Sequence, residues 1–228
     1  VSPFRERPHG RKPANIPGWR FLGYLQNHDQ IGNRALGDRS SHLLSRGKLM
    51  IGAALVMTAP FVPMLFEGEE WGASTPFLYF TQHEEDWLVH AVSDGRRKEF
   101  AAFGWTFDEV PDPQEYETFA QSKLKWNEIA GEPHASLLAW HKRLIQLRRS
   151  HRELSDGRLD RVQVRFDEEA RWLSMERSPF IIACNFAENE QQLPLPGSCE
   201  VVLASADITL ESRSASLPAE SVAILRRN

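Results

Sequence analysis

The chain has 228 residues, 41% of them hydrophobic and 25% charged, which suffices for one sizeable core or two smaller ones and argues against disorder as the dominant state. Twenty-seven basic side chains stand against thirty-one acidic ones, a net charge of −4, so the chain lacks the positive field of a non-specific nucleic-acid binder and suits a neutral partner. No run of about 18 apolar residues exists to cross a membrane, and Cys184 and Cys199 have no metal-ligand spacing, so reduced thiols are expected, with no disulfide framework, metal or cofactor indicated.

Residues 1 to 18, rich in Pro, Arg and Gly, read as an irregular lead-in. The opening Val1-Ser2-Pro3 carries no initiator Met, so an upstream segment is expected. Phe21 to Leu25 reads as a short apolar strand. Leu43, Leu44, Gly47, Met50, Ile51, Ala54 and Leu55 then recur at helical spacing, with Asp38, Ser40 or Ser41 as N-cap and Pro60 as terminator. Phe61 to Phe66 is a near-continuous apolar run, the pattern of a strand buried on both faces of a parallel sheet, although Pro63 argues against a central position. Strand, helix and strand make a βαβ unit.

From Glu67 to Glu132 the chain is rich in Gly and Pro and reads as a long excursion with one short helix near Arg97 to Phe103. Ser136 to Arg149 is the clearest helix: Leu137, Leu138, His141, Leu144 and Ile145 share a face, and Arg148 and Arg149 suit its negative C-terminal end. A domain boundary is expected at His151 to Gly157, dividing an α/β part over residues 1–154 from a small antiparallel β-domain over 155–228. In the latter the period falls to two. Val162, Val164 and Phe166 alternate with polar residues, followed by strands at Trp172 to Glu176, Phe180 to Phe186, Glu200 to Leu203 and Val222 to Leu225. Two packed sheets, a β-sandwich, are the expected result.

The segment Tyr24 to Arg34 concentrates the chemistry. An apolar strand delivers Gln26-Asn27-His28-Asp29-Gln30, the way a barrel strand presents an active site at its C-terminal end. One carboxylate stands there, whereas cleavage of a sugar bond ordinarily needs two carboxyl groups around the scissile bond. The bland alternative is an Asx-type turn cap with a satisfied histidine. Glu67, Glu69 and Glu70 follow the second strand and invite a second carboxylate, but adjacent acids in a Gly-flanked loop are more often caps or ion-pair partners. Arg34, Asp38 and Arg39 suit either sugar hydroxyls or an ion-pair network. Trp71, Phe77, Tyr79 and Phe80 suit either sugar stacking or loop packing. Arg96, Arg97 and Lys98 read as solvated surface, and His141 as a packed, hydrogen-bonded residue.

Together, Gln26-Asn27-His28-Asp29-Gln30-Ile31-Gly32-Asn33-Arg34-Ala35 and Pro63-Met64-Leu65-Phe66-Glu67-Gly68-Glu69-Glu70-Trp71-Gly72 resemble the maltooligosyltrehalose trehalohydrolases, a glycoside hydrolase family of the α-amylase superfamily. Asn27-His28-Asp29 alone is similar to the superfamily at large; Gln30 to Asn33 with Gly68 to Gly72 narrow it. Further similarity runs through Thr75 to Thr81, Gly95 to Phe100, Phe103 to Trp105, Ser122 to Trp126 and Leu137 to Arg149. Gln82 departs from the family pattern, which has Asp before His83, and Glu67 stands where a neutral residue is commoner.

The resemblance implies the C-terminal part of a (β/α)8 TIM barrel followed by a small antiparallel β-sandwich, with residues 21 to 26 and 61 to 66 as the seventh and eighth barrel strands. It implies hydrolysis of the α-1,4 bond next to a terminal trehalose unit of maltooligosyltrehalose, with retention of configuration, in the cytoplasm and without a nucleic-acid or membrane partner. Asp29 would be the transition-state stabiliser, with His28 beside it. Asn27, Gln30, Asn33, Arg34, Glu69, Glu70 and Trp71 would contact substrate. The nucleophilic Asp and acid Glu would lie in a missing N-terminal portion of the same enzyme, leaving the isolated chain inactive and its strand edges bare. A glycogen branching enzyme, or a non-catalytic glycan-binding module, are the competing readings.

Overall fold

A computed structural model of the protein describes residues 5–10, 15–101, 103–106 and 109–228. Residues 1–4 and 11–14 of the expected lead-in, and Ala102 at the end of the expected short helix, lie outside the described residues. The remainder of the lead-in forms no helix or strand before a 3-10 turn at Gly18–Arg20. The first two strands, β1 (Leu22–Gly23) and β2 (Val62–Pro63), pair in parallel with Leu22 opposite Val62. Proline fits there because the ladder bonds run from Val62 N to Phe21 O (3.0 Å) and from Met64 N to Gly23 O (2.9 Å). The position between them faces the opposite edge, where no donor is called for. The expected burial of Phe61 to Phe66 on both faces is not seen: Val62 is exposed and the rest are half-buried. Trp19, Leu22, Tyr24 and Leu25 are exposed beside it, since a pair of strands cannot cover its own faces.

Between the strands run α1 (His28–Gly32), α2 (Ser40–Leu43) and α3 (Arg46–Thr58). The single helix expected from Leu43 onward is therefore two, broken where Leu44 is extended (φ −117°, ψ 148°). The cap of α3 is Ser45, whose hydroxyl accepts from Lys48 N at 3.2 Å, in place of the three candidates upstream. The break lets the first turn of α3 seat on the turn at Glu220. A Cβ on Gly47 would come within 2.2 Å of the Glu220 carbonyl, Lys48 Nζ lies 2.9 Å from its carboxylate, and the Ser45 hydroxyl donates to that carboxylate. At its far end α3 stops at Thr58, with Ala59 extended ahead of Pro60 as the pre-proline restriction demands.

The excursion after β2 is more ordered than its composition suggested. It holds α4 (Asp86–Ala101), α5 (Tyr116–Gln121) and 3-10 turns at Glu69–Trp71 and Trp126–Ala130. The short helix expected at Arg97 begins eleven residues earlier than that (97 minus 86). Its buried residues are Ser93, Arg96 and Phe100, so hydrophobic periodicity had little to register. Then come α6 (His134–Ser150), with Leu137, Trp140, His141, Leu144 and Leu147 buried, and α7 (Arg152–Ser155). Ile145, expected on that face, is exposed.

The final third consists of antiparallel strands. β3 (Gln163–Asp167), β4 (Trp172–Arg177), β5 (Phe180–Asn185), β6 (Gln191–Pro194), β7 (Cys199–Ala204), β8 (Thr209–Leu210), β9 (Ser214–Leu217) and β10 (Ser221–Arg227) form a five-stranded sheet, β3-β4-β5-β10-β7, and a three-stranded one, β6-β9-β8. Alternation along β5 and β10 serves two cores. Ile182, Cys184, Val222 and Ile224 join Met50, Ala54, Trp140 and Leu144 of α3 and α6. Ile181, Ala183, Ala223 and Leu225 pack against Leu193 and Leu217 of the smaller sheet. The alternation in β3 has no such outcome: Val164 and Phe166 are 52% and 61% exposed on this edge strand.

Two arginines fasten the corner where α3 turns into β2. Arg148 of α6, read as a complement to its own helix end, instead donates through Nη1 to Met57 O (2.7 Å) and Ala59 O (2.9 Å), and through Nη2 to Phe61 O (2.8 Å). Arg177 of β4 donates through Nη1 to Thr58 O (2.6 Å) and Leu154 O (2.8 Å), and through Nη2 to Asp156 O. Burial, reinforced by the charge of Arg148, brings the Arg177 pKa down to about 10. Arg177→Ala strands three carbonyls and is expected to lower unfolding free energy by about 3 kcal/mol in urea titrations. Arg177→Lys recovers less than half, because an ammonium lacks the fork geometry.

Candidate active site

The polar cluster at the end of β1 folds as a helix start. Asn27 is the N-cap of α1: its Oδ1 accepts from Asp29 N (2.8 Å) and Gln30 N (3.3 Å), while Gln30 Oε1 accepts from Asn27 N (2.8 Å). This reciprocal capping box fixes the backbone through the motif and leaves the two side chains it does not use, His28 and Asp29, in solvent. Their side chains are 69% and 72% exposed, with His28 Nε2 3.3 Å from Asp29 Oδ1. The turn-cap role thus falls to Asn27 and Gln30, which build the turn, and His28 and Asp29 are presented by it. Asn33 is the exposed C-cap of α1.

Behind this surface lies a buried polar layer. Gln26 Oε1 accepts from Ser40 N (2.8 Å) and Ser40 Oγ (3.0 Å), tying the end of β1 to the start of α2. Arg39, fully buried, donates from Nε to Thr75 O (2.7 Å) and from Nη1 to Glu67 O (2.6 Å), with its guanidinium 5.4 Å from the Phe66 ring centroid. It therefore holds the segment after β2 beside the segment after β1. The anticipated Arg34, Asp38 and Arg39 trio forms no guanidinium–carboxylate pair: Arg34 Nη1 donates to the Asp38 carbonyl at 2.6 Å. Arg96, expected on solvated surface, is 7% exposed and donates to the carbonyls of Gly32 and Arg34 at the end of α1. Arg97 pairs with Asp112 at 3.2 Å.

Glu69, Glu70 and Trp71 occupy a turn bounded by Gly68 and Gly72, both left-handed (φ 81° and 67°), where only glycine is unstrained. Glu69 and Trp71 are buried, at 6% and 2% exposure, and Glu70 is half-buried. That geometry favours support of the loop over direct contact with a sugar for Glu69 and Trp71. The Trp71 indole donates to Glu128 Oε1 at 3.0 Å, and Glu128 also accepts from Ser74 N (3.0 Å) and Ser74 Oγ (2.6 Å). Neither Glu69 carboxylate oxygen has a hydrogen-bond partner of ordinary geometry among the described residues, and nor does Arg39 Nη2. Burial is the main reason that the Glu69 pKa rises to about 7; the nearby Gln26 amide, the Phe66 backbone and the Arg39 charge oppose it without offsetting it. His141 is buried, with Nδ1 3.0 Å from Leu137 O, and burial lowers its pKa.

Sequence reasoning did not find Gln26, Arg39 and Glu128 as the residues that hold these loops. Each acts through bonds to backbone or to partners 14 to 57 residues away, which spacing does not display. No helix among the described residues is long and apolar enough to cross a membrane.

Residues 157–224 match a domain family described only as a domain of unknown function, DUF3459. Over 227 residues the chain is 45% identical to malto-oligosyltrehalose trehalohydrolase of Mycobacterium tuberculosis (strain CDC 1551 / Oshkosh), covering 99% of this chain and 39% of that protein. It is 43% identical over 228 residues to the enzyme of the same name from Rhizobium sp. (strain M-11), covering 99% of this chain and 38% of the relative. A solved structure from Salmonella typhimurium, described as an alpha amylase, superposes over 100% of this chain and 38% of its own, with a TM-score of 0.84 and 34% identity. The chain spans about two fifths of the curated relatives it matches, and the resemblance drawn from the two loop motifs is borne out.

A raised carboxyl pKa means that the folded state keeps a proton which the unfolded chain has already lost. Stability contributed at Glu69 is therefore present below pH 4.5 and falls as pH rises toward about 7. Denaturant titrations across that window are expected to show a loss on the order of 2 kcal/mol that Glu69→Gln removes, read as the difference between the two proteins.

Proposed function

We propose that this relative of the malto-oligosyltrehalose trehalohydrolases forms the C-terminal portion of such an enzyme, which cleaves the α-1,4 bond beside the terminal trehalose unit of maltooligosyltrehalose with retention. Under this reading β1 and β2 are the seventh and eighth strands of a (β/α)8 barrel, residues 1–154 its last part, and residues 155–228 a β-sandwich behind it. The observation that carries the reading is similarity along 99% of this chain to 39% of a trehalohydrolase, combined with the presentation of Asp29. A parallel strand leads into a capping box, and the carboxylate beyond it is left exposed beside His28, at the face where barrel enzymes place their chemistry.

The division of labour follows from the charges. An oxocarbenium-like transition state carries positive charge on the sugar ring, and a fixed carboxylate that also bonds ring hydroxyls favours it over the neutral ground state. Asp29 has that role, and His28, 3.3 Å away, is its neighbour and a further hydroxyl partner. Asn27, Gln30, Asn33 and Arg34 shape the same rim, and Glu70 lies at the facing loop. Glu69 and Trp71 act from beneath it. The nucleophilic Asp and the acid Glu belong to the part of the relatives that this chain does not match, so the chain by itself is not competent.

Trehalose release from maltotriosyltrehalose, assayed on the chain alone and on a polypeptide that also supplies the remaining barrel, tests this. The chain alone is expected to release none. The longer polypeptide releases trehalose, and Asp29→Asn lowers its kcat by about a thousandfold. Release by the chain alone, abolished in Asp29→Asn, would place both missing carboxylates within these 228 residues and overturn the assignment.

A further inference from the structure

A row of aromatic rings leads away from the end of β2. Phe66 meets Phe77 at 5.0 Å between centroids, Phe77 meets Phe80 at 5.8 Å, Phe80 meets Phe119 at 5.2 Å, and Phe119 meets Tyr116 at 5.9 Å. Alongside it opens a cleft of about 280 Å³ whose walls include Glu67, Phe77, Phe119, Lys123 and Trp126. Lys123 Nζ sits 4.6 Å from the Phe119 centroid. Trp126 is 68% exposed, yet it is held in place: its ring lies 5.2 Å from that of buried Trp71, tilted by 44°, and Trp71 is fixed by its bond to Glu128. A tryptophan face held rigid at the wall of a cleft is an apolar platform on which a flat partner can stack.

We propose that this cleft is a subsite for the maltooligosaccharide arm of the substrate, with Trp126 as its stacking platform. The inference rests on the α-glucan chemistry of the preceding section and adds a site to it. A pyranose offers apolar C–H faces, which stack on aromatic rings, and equatorial hydroxyls, which bond a carboxylate or an ammonium. The cleft supplies both kinds of wall, rings from Trp126 and Phe119 and charges from Glu67 and Lys123. An apolar peptide occupant would bury those two charges without partners. The placement agrees as well. Glu67 follows β2 and Asp29 follows β1, and the strands are parallel, so cleft and candidate active site open from the same end of the pair.

Isothermal titration of the chain with maltoheptaose, and with a cello-oligosaccharide of equal length, tests the proposal. Maltoheptaose is expected to bind and the β-linked glucan to bind more weakly. Trp126→Ala weakens maltoheptaose binding about tenfold, Trp126→Phe restores part of it, and Trp87→Ala, which removes another exposed tryptophan, leaves it within about twofold. Because the Trp126 side chain is exposed, its removal is expected to leave the thermal melt unchanged. Failure of the unmodified chain to bind maltoheptaose, or equal affinity in Trp126→Ala, overturns the subsite. Neither result bears on trehalose release, which reads bond cleavage and not affinity for this cleft.

Discussion

The structure depends on what happens to the carbonyls at the C-terminal end of α3. A helix end leaves four acceptors without helical partners, and here that end is buried against α6 and the larger sheet. Arg148 and Arg177 supply the donors, one from the neighbouring helix and one from β4. A guanidinium can serve several carbonyls at once because its N–H groups are fixed in a plane, and it remains charged even after burial has lowered its pKa. The consequence is positional. The path from α3 into β2 is pinned from two sides, and β2 in turn sets β1 and the capping box at its end.

A second pair of arginines repeats the logic in the loops that follow the two parallel strands. Arg39 binds carbonyls of the loop after β2 from the loop after β1, and Arg96 binds carbonyls at the end of α1 from across the excursion. Loops that carry polar function rather than apolar side chains have little hydrophobic burial with which to hold their shape, so directional bonds to backbone substitute for it. Glu69 is the residue that this arrangement leaves without a partner. It lies near Arg39 yet finds no well-formed bond among the described residues, and burial raises its carboxyl pKa to about 7.

Much of this was legible in the residues. The pre-proline stop of α3, the apolar face of α6, the turn at Gly68 and Gly72 and the strands β4, β5, β7 and β10 follow from periodicity and turn chemistry, and the two loop motifs pointed to the candidate site. What was missed shares a physical cause. The long α4 buries Ser93 and Arg96, which an apolar pattern does not count. Strands β6, β8 and β9 are short and turn inward little more than Leu193, Ala215 and Leu217. The break at Leu44 answers a contact with Glu220, 176 positions away (220 minus 44), which no local rule encodes. In β3 an alternation that looked like a core signal belongs to an exposed edge.

Pro63 has one further effect, on the unequal chemistry of the two bare strand edges. The open side of β1 presents both the donor and the acceptor of Leu22, whereas at the matching place on β2 the proline offers an acceptor alone. A strand arriving from another molecule would find an incomplete template on that side. Of the two neighbours that a closed barrel supplies, the one beside β2 therefore finds an acceptor where the one beside β1 finds both a donor and an acceptor, so the two seams are held by unequal ladders.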